Sequence, residues 1–126
     1  MVLIWKIWVN AGTPKKALKL CDAILQRMDA VVLEKMIEPY PKINGFMIMF
    51  SVRIESGTWN DAVVEAIDLG QRVGHGWLLG GFVYENANGW CNRPSVSGVV
   101  CMEWNLSKQS GGATILTDAY DHAVAG

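Results

Sequence analysis

Apolar positions along the chain follow two periods, and the switches between them mark the elements. Val2 to Val9 is rich in β-branched and aromatic residues, shows no helical period, and predicts a strand. Thr13 then reads as a helix N-cap, with Pro14 at the first helical position. Ala17, Leu18, Cys21, Ile24, Leu25 and Met28 recur at spacings of three and four, so one face of this helix is apolar. Lys15, Lys16, Lys19, Asp22, Gln26 and Asp29 fall mostly on the other face. Val31 to Glu38 predicts a second strand, stopped at Pro39-Tyr40-Pro41 because proline cannot donate to a ladder. Asn44-Gly45 signals a turn. Phe46 to Glu55 follows with strict alternation: Phe46, Ile48, Phe50, Val52 and Ile54 on one side, Met47, Met49, Ser51, Arg53 and Glu55 on the other. These two strands should form a hairpin.

Ser56-Gly57 breaks the alternation, and Thr58 with Asp61 three residues on resembles a capping pair. Trp59, Ala62, Val63, Ala66, Ile67 and Val73 then keep helical spacing until Gly74, a natural stop. Gly70 lies inside this helix, which implies close packing there. Trp77 to Glu85 predicts a strand weakened by Gly80-Gly81, Asn86 to Pro94 an Asn- and Gly-rich loop, and Val96 to Ser107 the last long strand. The tail from residue 108 begins with a Gln-Ser-Gly-Gly stretch, then offers Thr114 to Leu116 as a short strand and Asp118 to Ala125 as a short helix. The order implies one α+β domain over 1–126, a two-layer sandwich of two helices on an antiparallel sheet. Its first six elements follow the ferredoxin-like pattern β-α-β-β-α-β, with an extra C-terminal strand.

A two-layer sandwich needs only one apolar sheet face, and its free face should be polar. This sequence departs from that rule. Leu3, Trp5, Ile7 and Val9 oppose Val2, Ile4 and Trp8, with only Lys6 between. Met47 and Met49 add to the second face. Val100, Met102, Trp104 and Leu106 oppose Val99 and Cys101. Three coverings are open: the tail folded back, a homodimer packed sheet to sheet, or a docked protein or small ligand.

Composition agrees. Apolar residues make up 51% and charged residues 18% of the 126, with six Trp and six Met. Typical domains have about 45–50% and 25%. That excludes a disordered chain. With 11 Lys+Arg against 12 Asp+Glu, and no basic-aromatic string of the RNA-binding type, the reading includes no nucleic acid. No stretch approaches the ~20 apolar residues of a membrane span. Met1 to Val9 lacks the basic start of a signal peptide, so a cytoplasmic protein is expected. Cys21, Cys91 and Cys101 are odd in number and lack a CxxC pair, consistent with reduced thiols.

Little in the chain marks chemistry. His75 sits between Gly74 and Gly76, a pattern that suits a turn after a helix as well as an accessible imidazole. Cys91 stands near Arg93, which would lower a thiol pKa if the two met. Asp118, Asp121 and His122 fit a solvated helical turn as readily as a metal triad. Gly80-Gly81 lies inside a strand and so makes no phosphate loop. The expectation is no catalytic set, no cofactor and no metal.

A small α+β chain with six tryptophans, broken alternation and no targeting signal resembles bacterial immunity proteins, the antitoxins of contact-dependent growth inhibition and other polymorphic toxin systems. That class shares no diagnostic motif, so the resemblance carries over no site residue. It implies a cytoplasmic inhibitor that binds a cognate toxin domain and occludes its active site. Inhibitors of nuclease toxins are often strongly acidic; at net charge −1, apolar contacts must contribute more here. Expected anchors are Trp8, Met47, Met49, Trp90 and Trp104, with Glu65 and Asp68 as acidic contacts. The alternative is a small ferredoxin-like enzyme or ligand-binding protein, resembling a dimeric monooxygenase, with a pocket near His75.

Overall fold

The computed structural model describes residues 1–82 and 84–108. They form six strands and two α-helices: β1 (Val2–Val9), α1 (Pro14–Met28), β2 (Val32–Tyr40), β3 (Gly45–Val52), α2 (Trp59–Val73), β4 (Leu78–Gly80), β5 (Asn86–Cys91) and β6 (Val99–Ser107). The expected short strand at Thr114–Leu116 and helix at Asp118–Ala125 lie outside the described residues. The protein is α+β, with one antiparallel sheet in the order β2-β3-β1-β6-β5-β4. Among the described residues, no helix is long and apolar enough to cross a membrane.

Both helices start where the sequence places them. The Thr13 hydroxyl accepts from the Lys16 amide and the Thr58 hydroxyl from the Asp61 amide, each at 3.2 Å, relieving orphan donors of the first turn. Ala17, Cys21, Ile24 and Met28 of α1, with Ala62, Ala66, Leu69 and Val73 of α2, are buried against Leu3, Trp5, Ile7 and Val9. The helices therefore cover the odd-numbered face of β1.

The sheet differs from the sequence reading in three places. β2 runs through Pro39 to Tyr40, with Pro39 opposite Phe46. It is an edge strand, where a missing amide costs little. The strand expected over Trp77–Glu85 shrinks to Leu78–Gly80, because the chain turns at Gly81 (φ +91°) and Phe82. The expected loop Asn86–Pro94 instead contains β5, which pairs with β6 from Asn86 to Cys91.

The strand order differs as well. The last strand lies beside β1, with Trp5 opposite Trp104 and Ile7 opposite Met102. The strand after α2 sits at the far edge. The hairpin β4–β5 is thus added beyond β6, with Ala87 and Cys91 of β5 joining the helix-side core.

Each sheet face has its own apolar cluster. On the helix side Trp5 stacks on Phe50 (centroids 6.1 Å apart) and meets Trp77 edge to face at 5.5 Å. The Trp77 indole donates to the Gly70 carbonyl at 2.9 Å, so the glycine inside α2 is where an indole ring lies on the helix. On the other face Val2, Ile4, Met47 and Met49 are buried, with Trp8, Met36 and Tyr40 packed on them and no helix residue among them. The sheet is apolar on both sides over β1 and β3. Towards β5 that second face becomes polar, with Glu103, Asn105, Asn86 and Asn88.

Candidate functional site

The six tryptophans divide by environment. Trp104 is 1% exposed, with Ala87, Gly89 and Cys91 of β5 turned to the same side of the sheet. A Cβ at Gly89 would stand 2.5 Å from the Trp104 Nε1. Trp104 therefore presents no surface to a partner. Met47 and Met49 are likewise buried, and Trp8 is half-buried beside Tyr40 at a centroid distance of 6.4 Å. Trp90 is different. It points to the helix-free side of β5, opposite Leu78 of β4.

Around Trp90 the hairpin exposes a run of large apolar side chains. Leu78 is 66% exposed, Leu79 55%, Phe82 58%, Tyr84 71% and Trp90 40%. Phe82 and Tyr84 hold each other edge to face at 5.7 Å. Phe82 is tied to the start of β5: its amide donates to Asn86 Oδ1 at 3.0 Å, and the Glu85 and Asn86 amides donate to its carbonyl. The patch is therefore carried on a defined hairpin. From Val73 to Tyr84 the sequence has no Lys, Arg, Asp or Glu. Leu78 and Trp90 share the helix-free side, whereas Leu79, opposite Gly89, points to the side of Trp104 and α2; exposed apolar surface of this kind marks interaction sites on soluble proteins.

The two acidic candidates have other partners. Glu65 is half-buried and accepts from the Glu55 amide, the Ser56 amide and the Ser56 hydroxyl, at 2.9, 2.9 and 2.5 Å. It fastens the end of β3 to α2. Asp68 is exposed and pairs with Arg72 at 2.8 Å, and Arg72 also donates to the Met28 carbonyl. These residues border a polar cleft of about 250 Å³ with Asp29 and Arg53.

His75 is exposed in the turn after α2, its amide donating to the Arg93 carbonyl at 3.3 Å. Cys91 is buried in β5. Its thiol donates to the His75 carbonyl at 3.2 Å and its sulfur accepts from the Arg93 amide at 3.3 Å. Arg93 thus meets Cys91 through its backbone. Burial pushes the Cys21 thiol up to about 11. Burial, then the nearby Glu103, raises that of Cys101. Neither is poised as a thiolate at neutral pH.

A cavity of about 290 Å³ opens between α2 and the hairpin, lined by Val63, Ile67, Leu79, Ala87 and Trp104 among others. His75 does not line it. Among the described residues no three His, Cys, Asp or Glu side chains gather as a metal would need; Asp118, Asp121 and His122 lie outside them.

The sequence puts Leu78, Phe82 and Tyr84 on one apolar face of an expected strand over Trp77–Glu85, which marks the surplus of apolar surface there but not the short hairpin that carries it. The signal available was the uncharged run itself, interrupted by Gly80-Gly81, which marks a turn rather than a bend within a strand.

No family model and no curated protein matches the sequence. Among solved structures, a formyltetrahydrofolate deformylase from Pseudomonas putida KT2440 is similar at a TM-score of 0.37 and 14% identity. The match spans 57% of this chain and 24% of that one.

Proposed function

We propose that this chain is a protein-binding module that neutralises a cognate toxin domain by covering its active site, in the manner of the immunity proteins it resembles, and that it acts in the cytoplasm. The observation that carries the reading is the exposed pair Leu78 and Trp90 on the helix-free side of the hairpin, with exposed Phe82 and Tyr84 between its two strands. A buried aromatic surrounded by smaller apolar contacts is the usual energetic centre of a protein interface, and Trp is the residue type most enriched there. Of the anchors expected from the sequence, Trp90 has the exposure that role requires. The absence of charge from Val73 to Tyr84 suits a partner surface that is itself apolar and weakly charged. Recognition would then rest on shape and dehydration more than on electrostatic steering.

The test is capture of the partner with the full chain from its native host, followed by toxicity assays. The expected result is a stoichiometric protein that is toxic when expressed alone and harmless when this chain is co-expressed. Trp90→Ala and Leu78→Lys chains should lose both capture and rescue. A chain that captures no stoichiometric protein, or one whose partner is not toxic, contradicts the reading.

A further inference from the structure

We propose that free copies of this chain pair with each other along β4, edge to edge, so that two sheets join across a two-fold axis. The two edges of the sheet are unlike. β2 carries Glu34, Lys35, Glu38 and Pro39, features that discourage a second chain from adding to an open strand. β4 carries Leu78, Leu79 and Gly80, and among the described residues no strand lies beyond it. It is the unguarded edge.

Three properties of β4 favour a second copy as its occupant. An antiparallel strand set against its own copy is symmetric, so the contact closes at two chains. With the axis at Leu79, Leu78 of one copy lies opposite Gly80 of the other, and a bulky side chain meets a residue that has none. No like charges approach, because the sequence around β4 has no Lys, Arg, Asp or Glu from Val73 to Tyr84. The flanking aromatics widen the contact. Aromatic side chains bury ~150–250 Å² each, so the exposed parts of Phe82, Tyr84, Trp90 and the two leucines amount to about 500 Å² per copy. Doubled, that is at most about 1,000 Å², the size of a weak, transient contact. The pairing is therefore reversible and depends on concentration. It occupies the surface assigned above to the toxin, so the copies separate before a partner binds. That last consequence rests on the toxin reading; the pairing does not.

Sedimentation of the full chain over a range from micromolar to near-millimolar tests the pairing, together with amide exchange at both ends of that range. The mass should rise from 13.9 kDa towards twice that value. Protection of the β4 amides that face away from β5 should rise with it. Leu79→Lys and Leu78→Lys should remain monomeric throughout. Val64→Lys, which removes an equally exposed apolar side chain from α2, should dimerise like the parent. A parent chain that stays monomeric overturns the proposal, as does a dimer that survives both lysine variants or leaves the β4 amides unprotected. A monomeric chain that still neutralises a toxin would overturn the pairing alone. A dimer without any toxin partner would overturn the function alone.

Discussion

Leu78 and Trp90 face each other across the β4–β5 ladder, on the helix-free side of the sheet and at its outer margin. The pair lies at the margin of the core: Leu78 is 66% exposed, while Trp90 is 40% exposed and buries the rest of its indole. Surface substitutions of this kind usually change stability by about 0.5 kcal/mol or less. Leu78→Lys should therefore unfold in urea within about 1 kcal/mol of the parent, allowing for the lost cross-strand contact, and Trp90→Ala, which gives up a half-buried indole, should cost more but stay below the ~3–5 kcal/mol of a fully buried tryptophan. A much larger loss would place these side chains in the folding core and remove the reason for treating them as an interaction surface.

Gly89 and Trp104 form the opposite case. The indole lies where a Cβ at 89 would stand, 2.5 Å from Nε1, and Trp104 is 1% exposed. Gly89→Ala should cost about 1–3 kcal/mol through overpacking, read as a lower urea midpoint. An unchanged midpoint would mean that Trp104 has room to move.

Glu65 and Asp68 separate a fastened carboxylate from a free-standing pair. Glu65 accepts three hydrogen bonds from the β3–α2 junction while half-buried. Glu65→Ala leaves those donors without their acceptor and should cost about 1–2 kcal/mol. Asp68 makes an exposed pair with Arg72 one helical turn away, so Asp68→Asn should cost less than about 0.5 kcal/mol. Equal effects in equilibrium unfolding would contradict this division.

Cys21 links stability to alkaline pH. Burial raises its pKa from 9.0 to about 11, so the folded chain holds a proton that the unfolded chain releases earlier. The contribution is complete below pH 9 and is lost as pH rises from there through about 11. Cys21→Ala should show a shallower fall in stability across that window than the parent. The thiol should also resist alkylation in the native chain at neutral pH. Rapid native-state modification would show that the helix face is open.

These particulars also show what the sequence made legible. Both helices could be read from their caps and their three-and-four spacing, because a helix is specified by neighbours in sequence. β3 could be read from alternation and β1 from its β-branched and aromatic residues, and so could the apolar character of both sheet faces. β5 could not, although it alternates too. Its inward positions are Ala87, Gly89 and Cys91, small because the Trp104 indole takes the space, and its outward ones include Asn86 and Asn88. Without knowing that Trp104 lies opposite, this pattern reads as a loop. The strand order was hidden for the same reason, since pairing of β6 with β1 is a long-range choice. Among the anchors, Trp104 and Trp90 belong to adjacent strands yet point to opposite sides of the sheet. Composition counts them alike; only the register distinguishes them.

The central claim is that the hairpin surface around Trp90 is where this protein meets its partner. The most direct measurement is the equilibrium affinity of the captured toxin domain for the parent chain, for Trp90→Ala and for Val64→Lys. The account predicts at least a tenfold loss for Trp90→Ala, corresponding to ~1.4 kcal/mol or more, and no change for Val64→Lys. Equal affinity for all three would contradict it.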